Sequence, residues 1–238
     1  MQLVTNERLL KRETVIGMTL LIIPMLVLGV GFVVSNDPTR WDREDPRLPL
    51  ITFGSMMLAL VVYFVGQTRI RRYGANYRQD RTLRQLLKAL DDRHVLFAFL
   101  SRRLPDYVLV GPNGVTALIA RGHDGQVVSR DNTWKRTGGR GLPIFRTFYG
   151  TPIGNPSWDA QQAAARLETF LSSKLGDVAD VPVRSLIVFT NPGIRLRIER
   201  SRYTVTTARE LRNVVKKIKP ALSQARLGAV VSAFQQSL

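Results

Sequence analysis

Asp106 opens the run DYVLVGPNGVTALIAR, in which Pro112 favours a turn and Gly114 closes it between two strand-forming stretches. If Val110 pairs with Val115 across that turn, Asp106 falls opposite Ile119, because antiparallel partners keep a constant sum of residue numbers. A carboxylate at that place is either a metal ligand or a strand-edge aspartate that caps a turn after Pro105. His123 and Asp124 lie close behind and would complete a substitute ligand set with Asp106. The stretch Gly122, His123, Asp124, Gly125 reads more simply as a turn between strands.

A second kind of chemistry is carried by cations. Trp134, Lys135 and Arg136, with Arg140, Arg146, Phe148 and Tyr149 nearby, combine charge and aromatic surface as single-stranded nucleic-acid sites do. The plainer reading packs the aromatics beneath a loop and leaves the cations solvated. Arg195, Arg197, Arg200 and Arg202 alternate along a strand-like segment, which places several of them on one side. The same alternation guards solvent-facing edge strands. No Gly-rich phosphate loop, serine nucleophile elbow or zinc spacing is present. With no cysteine and only His94 and His123, disulfides, thiolate sites and multi-histidine metal sites are excluded.

The elements that position these residues follow from a membrane-like N-terminus. Val15 to Val34 and Leu48 to Gly66 contain no Asp, Glu, Lys, Arg or His, and about 20 apolar residues at ~1.5 Å rise cross a hydrocarbon core of roughly 30 Å. A cleaved signal peptide fits poorly, since its apolar region is typically about 7 to 15 residues and no A-x-A site follows. Pro24, Gly29 and Gly31 are tolerated in membrane helices. Arg8, Lys11 and Arg12 precede the first run, and Arg69, Arg71, Arg72, Arg78 and Arg81 follow the second. By the positive-inside rule both ends are expected in the cytoplasm of a multi-pass cell-membrane protein.

The expected divisions are a cytoplasmic N-terminus (1–14), spans at 15–34 and 48–66, an external loop (35–47), a basic connector (67–82), a cytoplasmic domain (83–220) and a C-terminal helix (221–238). The 238 residues include 35 basic and 18 acidic side chains, for a net charge of +17. Residues 1–66 hold six of each sign, so all the excess lies beyond Gly66. Such a field attracts polyanions, either anionic lipid headgroups or nucleic acid. Arg69, Arg71 and Arg72 are expected at the membrane surface, each worth about 1 kcal/mol near anionic lipid.

Within the domain, Leu83, Leu86, Leu87 and Leu90 share one helical face, and His94 to Leu100 reads as a buried strand. Gln126 to Arg136 reads as two short strands, and 137–154 as a loop of functional length. Asn155 and Pro156 open a helix that ends at Gly176. Val183 to Thr190 is a buried strand, YTVT another, and helices follow from Thr207 and Ala221. The expected fold class is α/β, a transmembrane helical hairpin followed by a mixed sheet flanked by helices.

DYVLVGPNGV, the GHDGQV after it, the NPSW helix start at Asn155 and VPVRSLIVFTNP at Val181, in that order and spacing, resemble the nuclease-related (NERD) domain of the PD-(D/E)xK restriction-endonuclease-like superfamily. The resemblance spans roughly Leu83 to Thr207 and implies a restriction-endonuclease-like sheet. It also implies a Mg²⁺ site with an Asp on the strand entering the hairpin and Glu-x-Lys on the returning one. Two such carboxylates share the metal, which polarises phosphate and activates water, while the Lys stabilises developing charge. Asp106 matches the aspartate; the glutamate position falls on Ile119 and the lysine position on Arg121. Isoleucine cannot ligate a metal, and a guanidinium clamps phosphate but cannot act as a base. The acidic residue of the first helix has no match among Arg84, Gln85 and Lys88. Asp159 stands where a glutamine is usual, with Gln161 and Gln162 out of register.

The resulting expectation is a membrane-anchored, catalytically inactive NERD-like domain without cofactor. It would bind DNA, RNA or another polyanion through Arg121, Lys135, Arg136, Arg140, Arg146, Arg195 and Arg197. The alternatives are an active nuclease using Asp106, with Arg121 assisting and Mg²⁺ bound, or a membrane scaffold that holds lipid or a protein partner.

Overall fold

A computed structural model of the chain describes residues 1–36, 47–137, 153–176 and 181–237. Most of the expected external loop (37–46), and Arg140, Arg146, Phe148 and Tyr149, lie outside these residues. The chain divides into two compact units, residues 7–78 and residues 1–6 with 79–238.

The first unit is a pair of helices, α1 (Glu7–Ser35) and α2 (Arg47–Tyr73), each extending beyond its apolar run. Both are long and apolar enough to cross a bilayer, with mean hydropathies of 2.5 and 2.1 over their most apolar stretches, of which only 17% and 6% is buried. Val15, Met25, Phe32, Leu50, Phe53 and Phe64 stand exposed, a load of apolar surface that water does not favour. The helices approach closely where side chains are small. A Cβ on Gly66 would lie 3.0 Å from the Leu20 carbonyl carbon, so any side chain there would require the two helices to give. Ser35 and Thr52 hydroxyls meet at 3.0 Å, and Arg69 donates to the buried Glu13 carboxylate at 2.6 Å.

The second unit is built on a six-stranded mixed sheet, ordered β1-β2-β3-β4-β7-β9. The strands are β1 (Gln2–Thr5), β2 (Val95–Ala98), β3 (Tyr107–Gly111), β4 (Gly114–Arg121), β7 (Val183–Phe189) and β9 (Thr204–Thr207). The meander β2-β3-β4 is antiparallel, and Val110 pairs with Val115 as the turn chemistry requires. Gly114 adopts φ +108°, and a side chain there would run into the Pro182 carbonyl. The parallel neighbours β4 and β7 are joined through α4 (Pro156–Leu175), as parallel pairing demands a crossover. Asn155 caps α4 by accepting from the Trp158 N–H at 3.1 Å, and Gly176 ends it at φ +69°.

One face of the sheet packs against α4 and α6 (Gln224–Gln235). Ala160, Ala163, Leu167 and Leu171, spaced three and four apart, meet Val108, Val110, Val115 and Ile187 there. The Phe234 ring lies between Phe97 and Phe170, with centroids at 5.3 and 4.9 Å, so the last helix is part of the core. Leu83 and Leu87 of α3 (Asp80–Leu87) and Leu211 and Val215 of α5 (Leu211–Lys217) are also fully buried. The N-terminal strand β1 is an addition to the expected elements. It pairs in parallel with β2, so the helical pair is inserted between the first two strands of one sheet.

A smaller sheet of order β6-β5-β8 extends the first. It comprises β5 (Gly125–Arg130), β6 (Thr133–Thr137) and β8 (Ile194–Ile198). The parallel pair β4 and β7 continues, after short bends at Gly122 and Asn191, into the parallel pair β5 and β8. The Thr190 N–H donates to the Arg121 carbonyl at 2.9 Å and holds the two bends side by side.

Candidate polyanion interface

The hairpin register, continued two residues past the last ladder pair of Val108 and Ala117, places Asp106 opposite Ile119. Asp106 is half-buried. Ile119 is 8% exposed and belongs to the apolar core, paired in β7 with the fully buried Ile187. Arg121, two residues on and therefore on the same face, forms an ion pair with Asp159 in the first turn of α4. The two residues that depart from the pattern the resemblance would imply, Arg121 and Asp159, thus engage each other. His123 and Asp124 do not complete a ligand set. The Asp124 carboxylate holds Arg136, whose Nε also donates to the Asp124 carbonyl at 2.9 Å. Among the described residues no group of three or more His, Asp or Glu side chains is placed to hold a metal ion. The residues present do not fit the Mg²⁺ that the resemblance implies: one of the two facing positions has no donor atom, and Arg121, at the implied lysine position, is already paired.

The small sheet presents a different surface. Its inner side carries Val127 and Ser129, both fully buried, and Trp134, whose Nε1–H donates to Ser157 Oγ at 2.9 Å while the ring packs 6.0 Å from Phe189. Trp134 is therefore a core residue beneath the sheet, not a stacking platform. Arg136 shares this inward side, because alternate residues of a strand face together. The outer side carries Lys135, Arg195 and Arg197, all exposed. Register sets Val128 between Lys135 and Arg197, and Gln126 between Thr137 and Arg195. With strands roughly 4.8 Å apart and alternate residues roughly 6.7 Å apart, these cations form a flat grid about 10 Å across.

Arg130, which the charge pattern alone did not single out, joins the outer face opposite Thr133. Glu199 lies 3.6 Å from Arg130 and 3.5 Å from Arg197, and Asp131 lies 3.9 Å from Arg200. Such long, exposed pairs are worth at most about 1 kcal/mol, so they yield readily to a competing anion. Arg130 and Arg197 share the Glu199 carboxylate, and Lys135 and Arg195 stand on the same outer face.

The seven cations expected to act together are therefore divided. Lys135, Arg195 and Arg197 share one solvent face, Arg121 and Arg136 are held in half-buried ion pairs, and Arg140 and Arg146 lie outside the described residues. In the helical unit, Arg69 is held by Glu13, and the Arg72 guanidinium sits 5.1 Å from the Tyr73 ring centroid. Both arginines follow the apolar run, where snorkelling side chains sit. No family model, no curated protein and no solved structure matches this chain.

Proposed function

We propose that the chain is a membrane-anchored, NERD-like domain that has lost its nuclease metal site and binds nucleic acid through the outer face of its small sheet. The carrying observation is the grid of Lys135, Arg195, Arg197 and Arg130, four exposed cations on one flat surface where, among the described residues, the Glu199 carboxylate is shared by Arg130 and Arg197. Phosphate-directed cations give sequence-independent affinity that falls with salt. The restriction-endonuclease-like reading draws support from the hairpin, whose register sets Asp106 against the position where a second ligand belongs. The loss of cleavage draws support from Ile119 and from the Arg121–Asp159 pair.

Membrane anchoring draws support from the exposed apolar surfaces of α1 and α2. Cytoplasmic orientation draws support from the flanking cations and from connectivity. A strand before α1 and the strands after α2 belong to one sheet, so both hairpin ends belong on one side of the bilayer.

The test uses the full chain in neutral-lipid nanodiscs, because β1 lies ahead of the helices and a fragment beginning at Gln79 lacks it. Labelled single-stranded DNA and RNA are incubated with Mg²⁺ or Mn²⁺, alongside Asp106→Asn. Salt-sensitive binding without cleavage is expected. Metal-dependent cleavage lost in Asp106→Asn would replace this reading with an active nuclease. Absent binding to either strand, with retained binding to anionic vesicles, would replace it with a lipid-directed scaffold.

A further inference from the structure

The face of the large sheet turned away from α4 is buried as well. Leu96, Leu109, Leu118 and Leu186 alternate along their strands with the residues that meet α4, and none is more than 3% exposed. Two helices cover this side. The Gln79 N–H at the start of α3 donates to Tyr107 Oη at 2.7 Å, and the Asn113 side chain donates to the Val215 carbonyl of α5 at 3.1 Å. Leu83, Leu87, Leu211 and Val215 are buried beneath the two helices, which touch each other. Burial of these residues fixes which way the others point. Arg81, Arg84 and Lys88, at i, i+3 and i+7, lie along one exposed side of α3 and its C-cap. Arg209, just ahead of α5, and Arg212 and Lys216 within it are exposed too. Among the described residues none of these six is held in an ion pair, and the carboxylates within the two stretches are Asp80, which is buried, and Glu210. Neither helix carries an aromatic side chain.

We propose that the exposed side of α3 and α5 is a docking surface for an anionic bilayer, laid against the acidic headgroups of the membrane that α1 and α2 cross. The covalent link is short: residues 74–79 separate α2 from α3, and six residues span at most about 20 Å. Helix α2 itself ends in Arg71 and Arg72, so basic residues run on from its end into this surface. A cluster of about four to eight Lys or Arg just beyond a membrane helix is what anionic lipid attracts, with about fivefold in affinity per residue. A bilayer is a plane of charge, so it engages cations that merely share one side and need not converge. Single-stranded nucleic acid also uses aromatic faces for its bases, and this surface has none. The surface rests on the membrane-anchored reading and is independent of the nucleic-acid one.

The full chain has no native cysteine, so a single bimane label reports one position. It is placed at Gln85→Cys or Asn213→Cys on the proposed surface, and at Gln161→Cys on α4 or Thr133→Cys on the small sheet as controls, all exposed. The nanodiscs are phosphatidylcholine with a fixed fraction of lipid carrying a headgroup nitroxide quencher, with or without phosphatidylserine. Quenching at Gln85→Cys and Asn213→Cys is expected to rise at least twofold with phosphatidylserine and to stay level at both controls. The rise should vanish in 1 M salt, where the Debye length is about 3 Å, and in the combined variant Arg84→Gln, Arg212→Gln, Lys216→Gln. The proposal is overturned if phosphatidylserine changes nothing at Gln85→Cys and Asn213→Cys, if either control gains as much, or if the combined variant keeps the rise. A chain that fails to co-purify with neutral nanodiscs refutes the anchoring, and this surface with it; incorporation into neutral discs tells the two failures apart.

Discussion

Ile119→Glu introduces, opposite Asp106, the carboxylate that the proposed nuclease-like resemblance would require, and it does so inside the core. Ile119 is 8% exposed, beside the fully buried Ile187 and among Val108, Ala117 and Phe189. Removing its buried apolar surface forfeits about 1.5–3 kcal/mol. Placing a carboxyl group there without hydrogen-bond partners, and facing Asp106, adds about 1–3 kcal/mol more. The expected loss is about 3–6 kcal/mol, against about 0.5–1.5 kcal/mol for Ile119→Val. At about 2–4 °C per kcal/mol for a domain of this size, the melting temperature falls by on the order of 10 °C. The assay is thermal unfolding followed by tryptophan fluorescence, to which the buried Trp134 contributes, with and without Mg²⁺. If Ile119→Glu costs no more than Ile119→Val, or if Mg²⁺ stabilises it and not the wild type, the position is a latent ligand site and the core argument is wrong.

Three further outcomes are expected. In a double-mutant cycle of Arg121→Met and Asp159→Asn, the half-buried pair shows a coupling of about 1 kcal/mol in denaturation, and additivity within about 0.3 kcal/mol would mean the pair contributes nothing. Gly66→Val forces α2 away from the Leu20 backbone, so disulfide cross-linking between cysteines placed at Ser35 and Thr52, whose hydroxyls meet in the wild type, slows at least severalfold; unchanged cross-linking would refute the close approach. Burial alone would raise the Asp91 pKa, but hydrogen bonds from Arg93 and His94 and their charges outweigh it and hold the carboxyl below its ordinary value. Because the folded value is depressed, this stabilisation is complete above an unfolded pKa of about 3.9 and disappears as pH falls through the folded value. Wild type and Asp91→Asn should therefore differ in melting temperature at pH 6 and converge toward pH 3, and a constant gap would contradict the assignment.

The hairpin register was legible because GPNG allows few pairings, and one correct pair fixes every other across an antiparallel ladder. The α4 boundaries were legible for a similar reason, with Asn155, Pro156 and Gly176 each acting locally. Strand β1 was not legible: four residues beside a membrane-like helix carry little pattern, and their partner β2 lies some ninety residues later. Trp134, Lys135 and Arg136 read as one cluster because they are consecutive, yet consecutive strand residues face opposite ways. Applying that period would have separated Lys135 from its neighbours, while its grouping with Arg195 and Arg197 required the β6-β5-β8 register. The Arg121–Asp159 pair spans 38 residues, and no spacing rule connects the end of a strand to the start of a crossover helix at that range. Each departure was visible in the sequence; their pairing required the fold.

The central claim is that the outer face of the small sheet holds nucleic-acid phosphates. Its most direct test is the salt dependence of single-strand binding by fluorescence anisotropy, comparing the full chain with a variant carrying Lys135→Gln, Arg195→Gln and Arg197→Gln. Each phosphate contact contributes about 0.7 to the slope of log K against log salt, so losing three should flatten it by about 2 and weaken binding at low salt. An unchanged slope and affinity in the triple variant would place the binding elsewhere and contradict the account.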